Sequence, residues 1–197
     1  MKIIDLTHEI SAHMPVYPGT EPPVLTTGCS LEDNGFLEKK ITIYSHTGTH
    51  VDAPAHMIKA SKTLDQLSFD HFYGKAALVN VSASRGPIID IEDLVSHEEL
   101  LTQNEFLLIN TGWSHHWGTR EYFSGYPVLS MEAAKWLSRL NLKGIGVDAI
   151  SIDEANSSTF PIHNILLKND TVIIENLKNL DLIPVIAFIF SCFPLKF

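Results

Sequence analysis

The chain has 197 residues, 45% hydrophobic and 19% charged, and 14 basic against 23 acidic side chains give it a net charge of −9. This composition predicts one folded domain over residues 1–197 with a substantial core, and excludes a disordered chain. The acidic balance, with no basic run interleaved with aromatics, argues against nucleic acid and anionic membrane as partners. Cys29 and Cys192 are far apart and read as two free thiols of a reducing compartment. The segment Met1 to His8 lacks a signal-peptide core, and the apolar run Leu182 to Phe193 contains Pro184 and is too short to span a bilayer. A cytoplasmic protein is expected.

Taken in order, residues 3–6 read as a first strand. Met14 to Gly19 and Pro22-Pro23 form a rigid extended loop that can present Tyr17. Residues 36–45 alternate late in the run, Ile41 and Ile43 against Thr42 and Tyr44, which predicts a strand. Residues 64–73 read as a short helix or turn. Lys75 to Ser82 is a strand with Ala77, Leu78, Val79 and Val81 nearly continuous, as in a sheet covered on both faces. Asp90 caps a helix predicted to run to Leu101. Glu105 to Asn110 is another buried strand. The aromatic segment 114–126 can line a pocket, while the adjacent His115 and His116 face apart. Ser130 caps a helix to Leu140 whose inner stripe is Ala133, Ala134, Leu137 and Leu140. Gly144 to Ala149 is a strand entering a loop; its Gly-x-Gly lacks the third glycine and the following helix of a dinucleotide site. Residues 151–159 form a polar loop, 163–168 a turn and a half of helix, 171–174 a strand ending at Glu175, and 185–190 a last strand. Strands alternating with helices make the class mixed α/β with a mixed central sheet.

The chemistry concentrates in Ser45 to His56. Three of the ten histidines and an aspartate fall within eleven residues, at His46, His50, Asp52 and His56. All are at even positions, so an extended chain turns them to one face. Imidazole and carboxylate are ligands for a first-row divalent cation. On a straight strand at ~3.3 Å per residue His46 and His50 lie roughly 13 Å apart, too far to share an ion. The chain must bend between them, and Gly48 is where it can. Further ligands must come from elsewhere. His163, ahead of a short helix, and Glu175, after Val172-Ile173-Ile174, are the candidates. Asp52 and Glu175 can each bridge two ions. Asp148, Asp153 and Glu154 can orient ligands from behind.

The motif His46-x-Gly48-Thr49-His50-x-Asp52-x-Pro54-x-His56 resembles that of the metal-dependent cyclase-like hydrolases, whose best-known members are bacterial kynurenine formamidases. The resemblance extends to Asp5-Leu6-Thr7, Pro15 to Gly19, His163 with Leu166-Leu167, and Glu175-Asn176-Leu177. It implies a swivelling β/β/α fold and a binuclear zinc site, with manganese suited to the same ligands. On that pattern His46 and His50 bind the first ion, Asp52 and Glu175 bridge, and His163 binds the second. His56 is then the proton donor and acceptor. Tyr17 matches a substrate-contacting position that is tryptophan in many kynurenine formamidases. The family pattern continues past a segment like Pro194-Leu195 into a Gly-Ser-Pro-x-Arg strand that this sequence does not include.

The implied reaction is hydrolysis of a small aromatic amide, most directly N-formylkynurenine, by metal-activated water in a homodimer or higher homo-oligomer. Two readings compete with it: a hydrolase of a cyclic amide or lactone, as in the isatin hydrolases, and a metal-dependent binding protein without turnover. No Gly-x-Ser-x-Gly suggests a serine nucleophile.

Overall fold

A computed structural model describes residues 2–81 and 86–196. The chain opens with an extended segment, then forms β1 (Val24–Cys29), the single-turn α1 (Leu31–Asn34) and β2 (Glu38–Thr42). β3 (His50–Asp52) is followed by three 3-10 turns, Pro54–His56, Leu64–Gln66 and Phe69–Phe72. Next come β4 (Tyr73–Asn80), β5 (Ile88–Ile89), α2 (Ile91–Leu94), α3 (Glu98–Thr102) and β6 (Phe106–Asn110). The remainder is β7 (Val128–Leu129), α4 (Met131–Leu137), β8 (Gly144–Val147), α5 (Pro161–Leu167), β9 (Val172–Glu175) and β10 (Ala187–Ser191).

Six strands form the central sheet in the order β10-β4-β6-β8-β9-β3. Its middle is parallel, and β10 and β3 close the two edges antiparallel. This is the mixed α/β architecture expected. Successive residues of β4 serve opposite faces. Ala77 and Val79 join a core with Leu94, Leu101, Ala133, Leu137 and Leu166 from the helices. Ala76 and Leu78 join a second core with Phe106, Leu108, Leu177 and Phe190. A strand covered on both faces has no polar face to alternate with, hence its continuous apolar sequence. Gly146 of β8 keeps the second core closed: a Cβ there would meet Leu108 and Leu177 at 2.6 Å.

Several expectations change. Residues 3–6 form no strand. The segment is tied to the loop after β9 instead, by Lys178 N to the Leu6 carbonyl and Asn179 Nδ2 to the Asp5 carbonyl. Asp90 caps α2 with a reciprocal box to Asp93, but the helix turns 3-10 at Val95–His97 before α3 begins. Val95 and Ser96 are weak helix formers at that break. Ser82, the expected end of β4, lies outside the described residues. β1 and β2 pair only with each other, in a hairpin apart from the central sheet. Among the described residues, no helix is long and apolar enough to cross a membrane. Both cysteines are free.

Candidate metal centre

The site is built where β3 pairs with β9. The register sets His50 opposite Glu175, and Asp52 lies two residues further along the face of His50. Before β3 the chain turns through Gly48, whose φ is +67°, and a Cβ there would stand 2.7 Å from Met14 Cε. The left-handed backbone is what favours glycine here, since the Met14 methyl is the end of a flexible side chain that can move aside. This turn is the predicted bend, and it returns His46 to the same place. After β3, Pro54 starts a 3-10 turn that brings His56 round.

Six side chains converge. His46 Nδ1 lies 2.7 Å from Asp52 Oδ1, and His50 Nε2 is 3.2 Å from that oxygen and 3.6 Å from Glu175 Oε2. His163 Nε2 lies 3.4 Å from Asp52 Oδ2 and 3.3 Å from Glu175 Oε1. The His56 ring is 4.0 Å from that of His46 and 5.8 Å from that of His163. Asp52, His163 and Glu175 are buried.

The ring nitrogens on the far side explain the arrangement. His50 Nδ1 donates to the Gly48 carbonyl at 2.8 Å, and His163 Nδ1 to Asp153 Oδ2 at 2.7 Å. Each ring thereby turns its Nε2 toward carboxylate oxygens. Both Asp52 oxygens and His50 Nε2 are buried, and the polar atoms facing them are the nitrogens and oxygens of this cluster, 2.7–3.6 Å away. Buried nitrogens and carboxylates this close need a positive charge among them, whether a proton on the rings or a bound cation. The donor atoms of His46, Asp52 and His56 lie within 4.8 Å of one another, as do those of His50, Asp52 and Glu175. With metal–ligand bonds near ~2.1 Å, donor sets of this size and chemistry fit a divalent cation.

The proton affinities show the same pull. Burial alone would lower His50, but the charge and close approach of Asp52, with the charge of Glu175, outweigh it and raise it to about 9. Burial likewise opposes protonation of His163, and the contacts to Asp153, Asp52 and Glu175 overcome it, raising it to about 12. Burial would raise Asp52, yet the surrounding imidazoles hold it well below the usual carboxylate range. His56 goes the other way. Burial, with the other three imidazoles, outweighs Asp52 and lowers it to about 4.

Supporting contacts come from distant parts of the chain. Asp153 accepts from the backbone N–H groups of Ile162 and His163, each at 3.0 Å, as well as from the imidazole. Tyr122 donates to Asn176 Oδ1 at 2.6 Å, and Asn176 Nδ2 donates to the Gly48 carbonyl at 2.9 Å, beside His50 Nδ1. Of the three carboxylates read as orienting groups, Asp153 touches a site histidine. Asp148 is buried against Thr111, and Glu154 is exposed. The parts played by Tyr122 and Phe160 were missed, and nothing in their local sequence marks them.

These residues open on a cavity of about 330 Å³ lined by His46, His50, His56, His163, Glu175 and Tyr17, together with Phe160 and Ile150. The aromatic segment 114–126 lines a pocket, as expected, but a separate one: Ser124, Gly125 and Tyr126 face it with Pro87 and Glu154. Trp113, Trp117, Tyr122 and Tyr126 pack in one cluster with Tyr17 and Ile150, which line the histidine cavity.

Residues 4–154 match the model of the family described as "Putative cyclase". The chain is 30% identical over 176 residues to the kynurenine formamidase of Geobacillus thermodenitrificans, covering 88% of this chain and 81% of that one. It is 29% identical over 182 residues to the kynurenine formamidase of Bordetella avium, covering 89% and 82%. A solved structure described as a potential metal-dependent hydrolase with cyclase activity superposes with a TM-score of 0.81 at 26% identity, over 100% of this chain and 90% of that one. Isatin hydrolase A from Labrenzia aggregata shares the fold, with a TM-score of 0.88 at 22% identity over 100% and 88%. The match over residues 4–154, on a chain whose histidine motif gathers donor atoms within 4.8 Å of one another, means that this protein belongs to the cyclase family.

Proposed function

We propose that this protein is a metal-dependent amidohydrolase that converts N-formylkynurenine and water to kynurenine and formate, acting in the cytoplasm as one domain over residues 1–197. The observation that carries this reading is the buried Asp52 carboxylate, with three imidazole nitrogens within 3.4 Å of its oxygens, at the base of a cavity lined by Tyr17, Tyr44 and Phe160. The kynurenine formamidases at about 30% identity support the substrate.

Two zinc ions are the cofactors we infer, with manganese suited to the same donors. His46, His50, Asp52 and Glu175 would hold one, and Asp52, Glu175 and His163 the other. When bound, such cations lower the pKa of water and polarise a carbonyl oxygen. The chain's own residues do the rest. Asp153 and the Gly48 carbonyl fix the ring tautomers of His163 and His50. His56 faces the cavity and moves the proton, taking it from the attacking water and giving it to the amide nitrogen as the C–N bond breaks. Tyr17 supplies a ring surface for the aromatic substrate.

A homodimer fits the hairpin. Neither β1 nor β2 contains a buried residue, and Phe36, Leu37, Ile41 and Tyr44 are exposed around it. A two-stranded hairpin is marginal alone in water. A second copy covering that face would also reach the cavity, which Tyr44 lines.

The test is hydrolysis of N-formylkynurenine by protein of measured metal content, with His56→Ala as control. Turnover that the variant loses while keeping its metal is the expected result. No turnover by fully metallated protein overturns the formamidase reading, and cyclic amides and lactones are then the next substrates.

A further inference from the structure

We infer that Phe160 selects flat aromatic substrates in this cavity, an inference that rests on the amidohydrolase reading for its choice of ligands. Phe160 has φ 45° and ψ 57°, the left-handed region. For a bulky side chain this is an outlier that costs free energy. The proline that follows, Pro161, narrows the choices of its predecessor further. Glycine or asparagine would hold this backbone with less strain.

Three contacts keep Phe160 there. Its N–H donates to Ser157 Oγ at 3.0 Å. Its carbonyl accepts from the Asn164 backbone N–H at 3.1 Å and from Asn164 Nδ2 at 2.9 Å. Helix capping does not account for the residue. Phe160 occupies the N-cap of α5 without a capping side chain, and Asp153 supplies the cap instead by accepting from Ile162 and His163. Core packing does not account for it either. Among the described residues, Phe160 joins none of the three apolar clusters.

What the strained backbone does achieve is the placement of the ring. Phe160 lines the cavity with Tyr17 and stands edge-on to His163, centroids 6.0 Å apart at 87°. A residue kept at a conformational cost, outside every core and facing the reacting groups, is a specificity element. Edge-to-face and offset-stacked contacts favour a flat ring over a saturated ring of equal size.

The experiment titrates metal-loaded protein by calorimetry with acetanilide and N-cyclohexylacetamide, amides that differ in whether the ring is flat. Wild type is expected to bind acetanilide about tenfold tighter, the scale of one aromatic contact. Phe160→Gly is expected to remove most of that preference, Tyr17 keeping the remainder, without lowering Tm, because glycine relieves the backbone, and Phe160→Tyr to retain it. If Phe160→Gly does not fold, Phe160→Asn, which also tolerates this backbone, carries the same readout. A preference undiminished by loss of the ring, or none in wild type, overturns the inference. Turnover of N-formylkynurenine by wild type judges the formamidase reading separately. A Phe160-dependent preference without turnover sinks that reading alone, and turnover with a Phe160-independent preference sinks this inference alone.

Discussion

Asp153 Oδ2 and His163 Nδ1 are 2.7 Å apart, and the same carboxylate accepts from the first backbone N–H groups of the helix that carries His163. Asp153 therefore anchors α5 and fixes which nitrogen of His163 turns to the carboxylates. Asp153→Asn keeps the size but offers one acceptor oxygen in place of two. The expected result is a 10- to 100-fold loss of metal affinity, roughly what removal of a ligand's hydrogen-bond partner costs. A stability loss of about 1 kcal/mol from the weakened cap should accompany it. Chelator competition and thermal melting read the two effects separately, and an unchanged metal affinity would show that His163 needs no such support.

Gly48 joins the backbone to the site. Its φ of +67° and the nearness of Met14 both oppose a side chain. Gly48→Ala is expected to cost about 1–2 kcal/mol from the left-handed backbone alone. It should also lower metal affinity, because the Gly48 carbonyl holds His50 Nδ1. Met14→Ala opens the space without changing φ, and because Met14 is buried it lowers Tm by itself. The double variant should therefore lie below Met14→Ala in Tm, and equal Tm values for the two would mean that the clash alone disfavours a side chain at Gly48.

How far these relationships can be read in advance depends on their span along the chain. The parity of His46, His50, Asp52 and His56 pointed to side chains that the fold does bring close together, although only His50 and Asp52 share a strand. His46 and His56 arrive through the turn at Gly48 and the 3-10 turn at Pro54. Gly48 was legible because spacing demanded a bend and one residue allowed it. The central strands β4, β6, β8 and β9 were legible because burial on both faces leaves continuous apolar runs. The bond from Tyr122 to Asn176 was not, since it spans 54 residues and depends on the completed sheet. Phe160 was hidden for a different reason: its backbone angles are imposed by Ser157 and Asn164, and no local pattern announces them.

His8 gives the fold a pH dependence of its own. Its ring stacks on Trp117 with centroids 3.7 Å apart at 8°, and its Nε2 is buried without a partner. Burial, with the nearby charge of Lys178, lowers it to about 4 from an ordinary value of 6.5. Between those values the unfolded chain binds a proton at His8 that the folded chain refuses. Stability should therefore fall as pH drops from 6.5 to 4, and this contribution is fully present above 6.5. His8→Phe keeps the stack and removes the titration. The gap in Tm between variant and wild type should widen in the variant's favour from pH 7.5 to pH 4.5. A gap constant with pH would mean that His8 accepts its proton in the folded state.

The hairpin of β1 and β2 bears on assembly. Ile41 of β2 is 56% exposed and Leu37, just before β2, is 65% exposed, on a hairpin that among the described residues is hydrogen-bonded to no third strand. In a lone chain this apolar surface faces water with no core beneath it, which a soluble monomer seldom maintains. Light scattering at micromolar concentration should give twice the chain mass of 22.0 kDa. Placing a charge at the centre of a self-complementary contact puts two like charges together across the two-fold axis. Ile41→Glu with Leu37→Glu should therefore give the single-chain mass. Because the hairpin leads through Tyr44 into the cavity wall, KM should rise in the same variant while metal content stays constant. A wild-type chain of single mass would leave the apolar hairpin without a second copy as its cover.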